Sequence, residues 1–272
     1  MIQDISASLV LFHNEPEMYS CAISSFIEGC DGTLYIVDNS FKALQHELFC
    51  HPRVKYIFAG RNLGFGAAHN LALTQLTSPS DVHLILNPDI SFDSQVLPSL
   101  VTLLQMEADI GAVMPRVIYP NGNHQYLSKL LPSPLDLIFR RFLPIVLLQE
   151  HINRRYELHS LRQDRNSDIP SLSGCFLLIR TAVLQDIGGF DERYFMYMED
   201  VDLIRRVGDV ARTVYCPSIS VTHGYGKGSY HNTKLLSYHL NSAVKYFNKW
   251  GWFYDPIRTT RNRRILATIK AG

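Results

Sequence analysis

Short apolar runs alternate with longer amphipathic stretches through the first half of the chain. Four of these runs are nearly continuous and rich in β-branched residues, and they cover residues 6–12, 33–39, 54–59 and 82–87. Such runs are typical of strands covered on both faces of a sheet. Helical patterns at 16–29, 41–50 and 65–77 lie between them and provide the crossovers that parallel strands require. The pattern predicts an α/β protein with a mostly parallel, doubly wound sheet.

Polar or glycine-rich stretches follow each of the four predicted strands. In chain order they read "HNEPE", "DNSF", "GRNLGFGAAHN" and "NPDISFD". Because the carboxyl ends of parallel strands share one edge of a sheet, ligands of open α/β proteins bind there. Each stretch alone is compatible with a turn or a helix cap, but four at one edge favour a site for a nucleotide-type ligand.

The glycine-rich stretch differs from the dinucleotide-binding fingerprint. It follows the third strand instead of the first, and His69 occupies the position where a third small residue would permit close helix packing. The chain also lacks the phosphate-binding G-x-x-x-x-G-K-[ST] motif. We therefore expect Gly60, Gly64 and Gly66 to let the backbone pass close to a sugar, a ribose or a phosphate.

A cluster of carboxylates stands in "FMYMEDVDLIRRVG", residues 195–208. Acidic residues are typical of the first turn of a helix, and the two arginines and Gly208 that follow are typical of a helix end. Asp202, one turn before those arginines, has a structural interpretation. Glu199 and Asp200 follow apolar residues, where an ionised carboxylate is costly unless it has a partner or a catalytic role.

The composition fits a soluble globular protein. Of the 272 residues, 46% are hydrophobic and 19% are charged, and the formal net charge is +1. This length allows a full core, and the balanced charge argues against a nucleic-acid binder. Five scattered cysteines lack the spacing of a zinc site or a disulfide scaffold, which favours reduced thiols. The first residues resemble neither a signal peptide nor a transmembrane helix, so we expect a cytoplasmic protein.

Two segments outside the strand pattern combine apolar and basic residues. Residues 133–149 begin with Ser133 and Pro134, a helix N-cap and first-turn pair, and are too short to span a bilayer. Residues 245–264 interleave aromatic and basic side chains. We expect a peripheral contact with an anionic membrane surface; the alternative is packing on the core or a homodimer contact. The proposed membrane-facing residues of the first segment are Leu135, Ile138, Phe139, Arg140, Arg141, Phe142, Ile145 and Val146.

Five motifs follow one another along the chain: "IVDNS", "GRNLGFGAAHN", "LILNPDI", "SGCFLLIRTAVLQDIGGFDERYFMYMEDVDLIRRV" and "THGYGKGS". In order and approximate spacing they resemble the inverting glycosyltransferases of family 2, which have the GT-A fold. The resemblance covers about residues 5–230 and is strongest to the bacterial rhamnosyltransferases of O-antigen, lipopolysaccharide and related surface-polysaccharide biosynthesis.

The resemblance implies a nucleotide-sugar site at the strand ends. Asp38 would contact the base or ribose, and Asp89 of "NPD" would replace the last carboxylate of the family's D-x-D motif. His223 would close over the diphosphate or complete the shell of a divalent cation, Mg²⁺ or Mn²⁺. Asn87 replaces the first carboxylate of D-x-D, which leaves the strength of metal binding open. The nucleotide-sugar-binding residues implied are His13, Asp38, Arg61, Asn62, Gly64, Asn87, Asp89 and Lys227.

The resemblance also implies a catalytic pair. Asp200 would be the general base, and Glu199 would help to position the acceptor or the base. In an inverting transfer an acceptor hydroxyl attacks the anomeric carbon from one side while a nucleoside diphosphate leaves from the other. An alcohol is a poor nucleophile at neutral pH, so a carboxylate that accepts its proton accelerates attack by about 10²- to 10⁴-fold. The cation would stabilise the charge of the leaving group.

These observations predict a GT-A glycosyltransferase domain at residues 1–230, with an insertion at about 127–166, and a helical extension at 231–272. We expect a nucleotide-sugar donor, dTDP-L-rhamnose by resemblance, and a lipid-diphosphate-linked glycan acceptor at the cytoplasmic face of the inner membrane. One alternative is a hexosyl- or N-acetylhexosaminyltransferase that uses a UDP-sugar. The other is a non-catalytic sugar-nucleotide-binding subunit, against which the presence of both Asp89 and Asp200 argues.

Overall fold

The computed structural model describes residues 4–76, 80–137, 146–224 and 233–271. The strands of this part of the chain are β1 (Ile5–Leu11), β2 (Thr33–Asp38), β3 (Val54–Phe58), β4 (Val82–Leu86), β5 (Ile90–Ser91), β6 (Ile110–Ile118), β7 (Ser167–Asp168), β8 (Phe176–Arg180) and β9 (Arg212–His223). The helices are α1 (Pro16–Gly29), α2 (Phe65–Thr74), α3 (Val96–Met106), α4 (Val146–Tyr156), α5 (Thr181–Asp186), α6 (Glu199–Val210), α7 (Thr233–Trp250) and α8 (Pro256–Ala271).

The strands form one mixed sheet in the order β3-β2-β1-β4-β8-β6-β9-β5, with β7 paired to β9. Strands β1 to β4 are parallel, as the alternating pattern predicted, and β6 is parallel to β9. Strand β8 runs antiparallel to both of its neighbours, β4 and β6. Its amino-terminal end therefore lies at the edge where β1 to β4 have their carboxyl ends, which brings a distant segment to the predicted site.

Helices cover both faces of the sheet, because successive side chains along each strand point to opposite faces. Helices α1 and α3 pack on one face, where their buried side chains join Leu84 and Leu178 in a single cluster. On the other face, α6 contributes Leu203 and Val207 to a cluster with Leu177. All five residues of β4 are buried. The continuous apolar run of β4 thus reflects a strand that is covered on both sides. The run at 54–59 was wrongly expected to be covered in the same way, because β3 is at the edge of the sheet and exposes Lys55 and Phe58.

One predicted helix and one predicted helix end differ from the structure. Residues 41–50 form only a 3₁₀ turn at Glu47–Cys50, and the preceding loop is held instead by side-chain hydrogen bonds. Helix α6 continues through Gly208 to Val210. At Gly208 a Cβ would lie 2.9 Å from the Arg261 guanidinium, so this glycine permits packing of α8 and does not end the helix.

Helices α7 and α8 form the helical C-terminal part and pack against the sheet domain. Arg205 of α6 makes a buried bidentate ion pair with Asp255, with N–O distances of 2.6 and 2.8 Å. Asn262 exchanges two hydrogen bonds of 2.9 Å with the backbone of Leu131. The division of the chain near residue 230 stays a prediction.

The segment predicted to contact a membrane begins as expected. Ser133 and Asp136 cap each other, with the Ser133 amide donating to Asp136 over 2.8 Å and the Asp136 amide donating to Ser133 Oγ over 3.2 Å. Leu135 is 52% exposed. The proposed contacts from Ile138 to Ile145 lie outside the described residues, as does the side chain of Val146. No helix in the described ranges has both the length and the apolar character to cross a bilayer.

Candidate active site

The polar loops after β1, β2 and β3 meet at one edge of the sheet. The amide of His13 donates to Ser40 Oγ over 2.8 Å, and Asn39 Nδ2 donates to the Gly64 carbonyl over 3.1 Å. The amide of Phe65 in turn donates to the Phe195 carbonyl over 3.0 Å, which links these loops to the segment before α6. The stretches that the sequence assigned to one edge are therefore in contact.

Asp38 lies at the carboxyl end of β2 and is fully buried. Its carboxylate accepts hydrogen bonds from the amides of Ser40 and Leu44, both over 2.9 Å, and from the Tyr56 hydroxyl over 2.5 Å. Burial alone would raise the pKa of Asp38, but these bonds to Ser40, Tyr56 and Leu44 outweigh it and lower the pKa. The contacts fix the loop beside the predicted base and ribose position.

The third loop is shaped by a close approach to the segment before α6. Gly64 has a left-handed φ of 85°, and a Cβ there would lie 2.2 Å from the Phe195 carbonyl oxygen. A Cβ at Gly66 would lie 3.0 Å from Phe190 Cβ. We expected these two glycines to let the backbone pass close to a sugar, a ribose or a phosphate. In the structure they make room for neighbouring residues of the protein itself. Asn62 Oδ1 accepts from the Gly64 amide over 2.9 Å, and Arg61 is exposed.

Asp89 and His223 are brought together by the pairing of β5 with the end of β9, in which Ile90 lies opposite His223. Asp89 Oδ1 lies 3.1 Å from His223 Nε2, and the Asp89 carbonyl accepts from the Gly224 amide over 2.8 Å. Asn87 lies in the same turn, where its amide donates to the Cys175 carbonyl over 2.8 Å. Lys227 lies outside the described residues.

Gln125 orients the His223 ring. Its Nε2 donates to the His223 carbonyl over 2.9 Å, so that its Oε1 faces His223 Nδ1, also at 2.9 Å. Since Oε1 can only accept, Nδ1 donates to it, and Nε2 is the ring nitrogen that faces Asp89. Gln125 is 3% exposed and was missed by sequence reasoning, because it lies 98 positions from His223 and belongs to no motif.

The Asp89 and His223 pair fits a divalent cation that is shared with a diphosphate. A carboxylate oxygen and an imidazole nitrogen are both ligands that divalent cations accept, and here they lie 3.1 Å apart. Adjacent ligands of an octahedral ion at about 2.1 Å are themselves separated by roughly 3 Å. The described residues contain no group of three or more His, Cys, Asp or Glu side chains arranged to hold a metal. Substrate oxygens and water would therefore complete the shell.

The amino-terminal end of β8 connects this pair to the carboxylates of α6. The Gly174 amide donates to Asp200 Oδ2 over 3.1 Å, while the next residue, Cys175, bonds the turn of Asn87. A Cβ at Gly174 would lie 3.2 Å from Asp200 Cβ, so glycine makes room for the carboxylate. Burial, with Asp89 and Asp200 nearby, raises the pKa of the Cys175 thiol to about 12. Cys175 is therefore a neutral packing residue.

Asp200 lies in the first turn of α6, as predicted. Its Oδ1 accepts from the Val201 amide over 2.8 Å, and it is partly exposed. The helix follows two residues in left-handed conformation, Tyr197 with φ 67° and Met198 with φ 66°. Such conformations cost about 1–3 kcal/mol each and concentrate at functional sites, where surrounding contacts maintain them.

Glu199 is 6% exposed, and its Oε2 has no hydrogen-bond partner among the described residues. Burial, and then the charge of Asp200, raise the pKa of Glu199 to about 8. At neutral pH Glu199 therefore holds a proton. This arrangement is consistent with a positioning role for Glu199 toward the base.

Asp202 is fully buried and has the structural role expected of it. Its carboxylate pairs with Arg206 Nε and Lys249 Nζ, both at 2.7 Å, and accepts from Trp250 Nε1 at 2.7 Å. The other arginine, Arg205, turns to Asp255. Asp202 therefore attaches α6 to α7 and is unavailable for catalysis.

Exposed aromatic rings border the predicted nucleotide position. Phe41 is 66% exposed and Phe12 is 40% exposed, and the His13 ring lies between them at centroid distances of 5.3 and 4.5 Å. Their π faces can stack on a base. Sequence reasoning noted His13 but gave neither phenylalanine a role, although Phe41 is the last residue of the stretch "DNSF" after β2.

The family model described as Glycosyl transferase family 2 matches residues 10–188. The chain is 29% identical over 231 residues to the N-acetylglucosaminyl-diphospho-decaprenol L-rhamnosyltransferase of Mycobacterium tuberculosis, covering 77% of this chain and 72% of the relative. It is 25% identical over 224 residues to the rhamnosyltransferase WbbL of Escherichia coli, covering 78% and 81%. The hexosyltransferase Agl10 of Haloferax volcanii, of low-salt glycan biosynthesis, is 25% identical over 212 residues, covering 76% and 62%.

Solved structures share the fold. GalNAc-T7 with UDP, GalNAc and Mn²⁺ superposes with a TM-score of 0.60 at 13% identity, and the match covers 92% of this chain and 48% of GalNAc-T7. This chain thus spans about half of that protein. The mannosyltransferase PcManGT of Pyrobaculum calidifontis, in complex with GDP-Man and Mn²⁺, has a TM-score of 0.56 at 14% identity, with 98% and 75% covered. The predicted GT-A fold is confirmed.

Proposed function

Since the chain belongs to glycosyl transferase family 2 and is a glycosyltransferase, we propose that it moves L-rhamnose from dTDP-L-rhamnose, with inversion, to a hydroxyl of a lipid-diphosphate-linked glycan. The observation that carries this proposal is the convergence of two carboxylate sites on the start of β8. Gly174 bonds Asp200, and Cys175 bonds the turn that leads to Asp89. One site would serve the leaving diphosphate and the other the attacking hydroxyl.

On the donor side, the loops after β1 to β3 would hold the nucleoside. The loop that Asp38 fixes presents the Phe41 ring to the base, and Arg61 is free to meet phosphate charge. Asn62 would hold the third loop in place through Gly64. Lys227, predicted to meet the same charge, belongs to this proposal by its sequence position alone.

Asp89 and His223 would hold the divalent cation, Mg²⁺ or Mn²⁺, against the diphosphate. When bound, the ion neutralises charge that develops on the leaving group. The contribution of this chain is to orient the ligands: Gln125 fixes the His223 ring, and the β5–β9 pairing sets Asp89 beside it. Asn87 shapes the turn through its backbone.

On the acceptor side, Asp200 would accept the hydroxyl proton as the oxygen attacks the anomeric carbon. Two backbone amides donate to its carboxylate, which lies in the first turn of α6. The neutral Glu199 adds no second negative charge beside it. The positions of both residues support single-displacement chemistry with inversion.

The names of the relatives support the sugar and the acceptor. Two of them are rhamnosyltransferases, and one of these names a GlcNAc-diphospho-decaprenol acceptor. Such a lipid remains in its bilayer, so we also propose peripheral association with the cytoplasmic face of the inner membrane and a role in O-antigen or related polysaccharide assembly. The alternative of a hexosyltransferase draws support from the relative that is named as one.

A donor panel tests the proposal. Purified protein with Mg²⁺ or Mn²⁺ is incubated with dTDP-L-rhamnose, UDP-glucose, UDP-N-acetylglucosamine and GDP-mannose, and nucleotide binding and slow hydrolysis are measured. We expect binding and hydrolysis to be strongest for dTDP-L-rhamnose, because water can replace the acceptor at a competent site. A preference for a UDP-sugar would replace the proposed donor with the alternative.

A further inference from the structure

Two aromatic residues protrude from the turn between α7 and α8. Phe253 is 87% exposed and Tyr254 is 84% exposed, while Trp252 beside them is 38% exposed. Ile257, in the first turn of α8, is 45% exposed. We call residues 252–254 the aromatic tip. Soluble proteins expose single apolar side chains commonly, but adjacent and nearly full exposure of two rings marks a contact surface.

The aromatic tip is held in a defined conformation. Gly251 has a left-handed φ of 101°, and a Cβ there would lie 2.4 Å from the Tyr254 carbonyl oxygen. The guanidinium of Arg258, 7% exposed, donates to the carbonyls of Gly251, Trp252 and Phe253 over 3.3–3.4 Å. Hydrogen bonds from a buried arginine thus hold the backbone of the turn, and the two rings point outward. The exposure is therefore a property of the folded turn.

Trp250 and Arg261, in the same part of the chain, make contacts within the protein. Trp250 lies under the Arg205 guanidinium at 4.1 Å, and Arg261 donates to the Arg205 and Gly208 carbonyls over 2.8 and 2.7 Å. Packing of α8 thus accounts for these side chains. It does not account for the aromatic tip or for the exposed Arg263 and Lys270.

A groove of about 730 Å³ adjoins the aromatic tip. Arg258 lines the groove and also bonds the tip, so the two are continuous. Asp136 is on the wall, but its carboxylate caps Ser133. Helix α8 carries five basic residues and no acidic residue. The apolar lining comprises Leu135, Ile152 and Leu266, and the basic rim comprises Arg155, Arg263 and Lys270.

Asp136 is the one acidic residue among those that line the groove, and none of the basic-rim residues forms an ion pair within the described part of the chain. The ion pairs formed by these residues' neighbours, such as Arg264 with Asp168 at 3.8 Å, do not include Arg155, Arg263 or Lys270. A cationic rim over an apolar lining complements an amphiphile with an anionic head. Aromatic rings with an adjacent cationic surface are the combination found at the interface of anionic bilayers.

We propose that the aromatic tip and the adjoining groove form the surface through which this protein docks on an anionic bilayer. Phe253 and Tyr254 enter the interface between headgroups and acyl chains, and the groove receives the phosphate of an anionic phospholipid between Arg263 and Lys270. This inference rests on the proposed lipid-linked acceptor, whose reactive glycan must be met at the membrane surface. It places the contact on the aromatic tip and on a groove that α8 shares with Leu135, Ile152 and Arg155.

Flotation with vesicles tests the docking surface without donor or acceptor. The native protein should float with phosphatidylcholine vesicles that contain phosphatidylglycerol at low salt, and bind pure phosphatidylcholine vesicles far less. The double variant Phe253→Ser with Tyr254→Ser should lower the partition coefficient by about tenfold or more, since two rings no longer enter the interface. Arg263→Glu should lower it by about fivefold or more on the anionic vesicles only.

Matched controls test whether the position of the replaced residue matters, and not only its apolar or basic character. Met106→Ser removes a side chain that is 79% exposed on α3, and Lys55→Glu reverses an exposed charge on β3. Both controls should float like the native protein. The proposal would be overturned if the tip variant and Arg263→Glu floated as well as the controls. It would also be overturned if the tip variant floated like the native protein and differed from it only by a smaller oligomer in sedimentation. Donor hydrolysis in all four variants reports the proposed function separately.

Discussion

The carboxylates of Glu199 and Asp200 are neighbours in sequence but lie in different environments. Glu199 is buried and has one oxygen without a partner, whereas Asp200 is partly exposed and accepts two backbone hydrogen bonds. Two adjacent carboxylates avoid a double charge when one of them holds a proton, and burial assigns that proton to Glu199. The pair therefore presents one ionised base to a hydroxyl at neutral pH.

Replacement of the base should separate turnover from binding. Asp200→Asn keeps an oxygen that can accept from Gly174 or Val201, so the fold should persist. It cannot take a proton from an alcohol, and kcat for transfer should fall by about 10²-fold or more, with nucleotide affinity nearly unchanged. Initial rates and calorimetric nucleotide titrations measure the two quantities.

The matched control is Asp186→Asn, an exposed carboxylate at the end of α5. It should retain native kcat. Full activity in Asp200→Asn, with a melting temperature like that of the control, would remove Asp200 from the role of base. An equal loss in both variants would attribute the effect to general destabilisation.

At the scale of elements, a chain of buried hydrogen bonds joins β1, β4 and α2. Ser8 of β1 lies 2.6 Å from His69 Nδ1 and 2.7 Å from His83 Nε2, and Ser6 lies 2.7 Å from His83 Nδ1. Both imidazoles are fully buried, and burial lowers the pKa of each to about 3. They remain neutral in the folded protein at neutral pH.

This network predicts a specific acid sensitivity. In the unfolded chain His69 and His83 bind protons below about pH 6.5, whereas in the folded protein they do not until about pH 3. Acidification between those values therefore favours unfolding, by roughly 2 kcal/mol per histidine at pH 5 relative to pH 7.5. Urea unfolding at several pH values measures the free energy of unfolding across this window.

The His69→Asn variant isolates one half of the effect. It loses ring packing, so its stability at pH 7.5 should fall, but its decline in stability from pH 7.5 to pH 5 should be smaller than that of the native protein by about the share of one histidine. Identical pH slopes in the two proteins would contradict a neutral, buried His69.

The elements that could be predicted were those whose pattern has a local cause. Strands β1, β2 and β4 are largely buried, so each left a continuous apolar run, and the helical pattern at 16–29 corresponds to α1. The edge strand β3 left an apolar run too, although Lys55 and Phe58 are exposed. The short helix at 41–50 was wrong because Asp38 and Tyr56 hold the loop by bonds that no local pattern records. The antiparallel direction of β8 depends on the long connection before it and could not be predicted from the residues of the strand itself.

At the scale of the whole molecule, the site is assembled from separate segments. Residues expected at strand ends were predicted because the topology brings all carboxyl ends of β1 to β4 to one edge. Gln125 and the spacing role of Gly174 were not predicted, since each acts through a partner distant in sequence. Gly64 was predicted to let the backbone pass close to a ligand. In the structure it makes room for Phe195, which is also distant in sequence.

The helical C-terminal part is coupled to the same site. The Arg205–Asp255 pair is buried, with the two side chains 3% and 1% exposed, and Asp202 adds contacts with Lys249 and Trp250. Both attachments lie on α6, which begins with the catalytic pair. A surface of α8 that docks on a bilayer would therefore hold the acceptor side of the site at a fixed height above the membrane.

The central claim is that a nucleoside diphosphate binds at this edge through Asp89, His223 and a divalent cation. Its most direct test is a calorimetric titration with the nucleoside diphosphate of the donor that the panel selects, with Mn²⁺ present or chelated. The account predicts that chelation weakens binding to the native protein by about tenfold or more, and that Asp89→Ala weakens binding chiefly when Mn²⁺ is present. Equal affinity with and without Mn²⁺, or an unchanged affinity in Asp89→Ala, would contradict it.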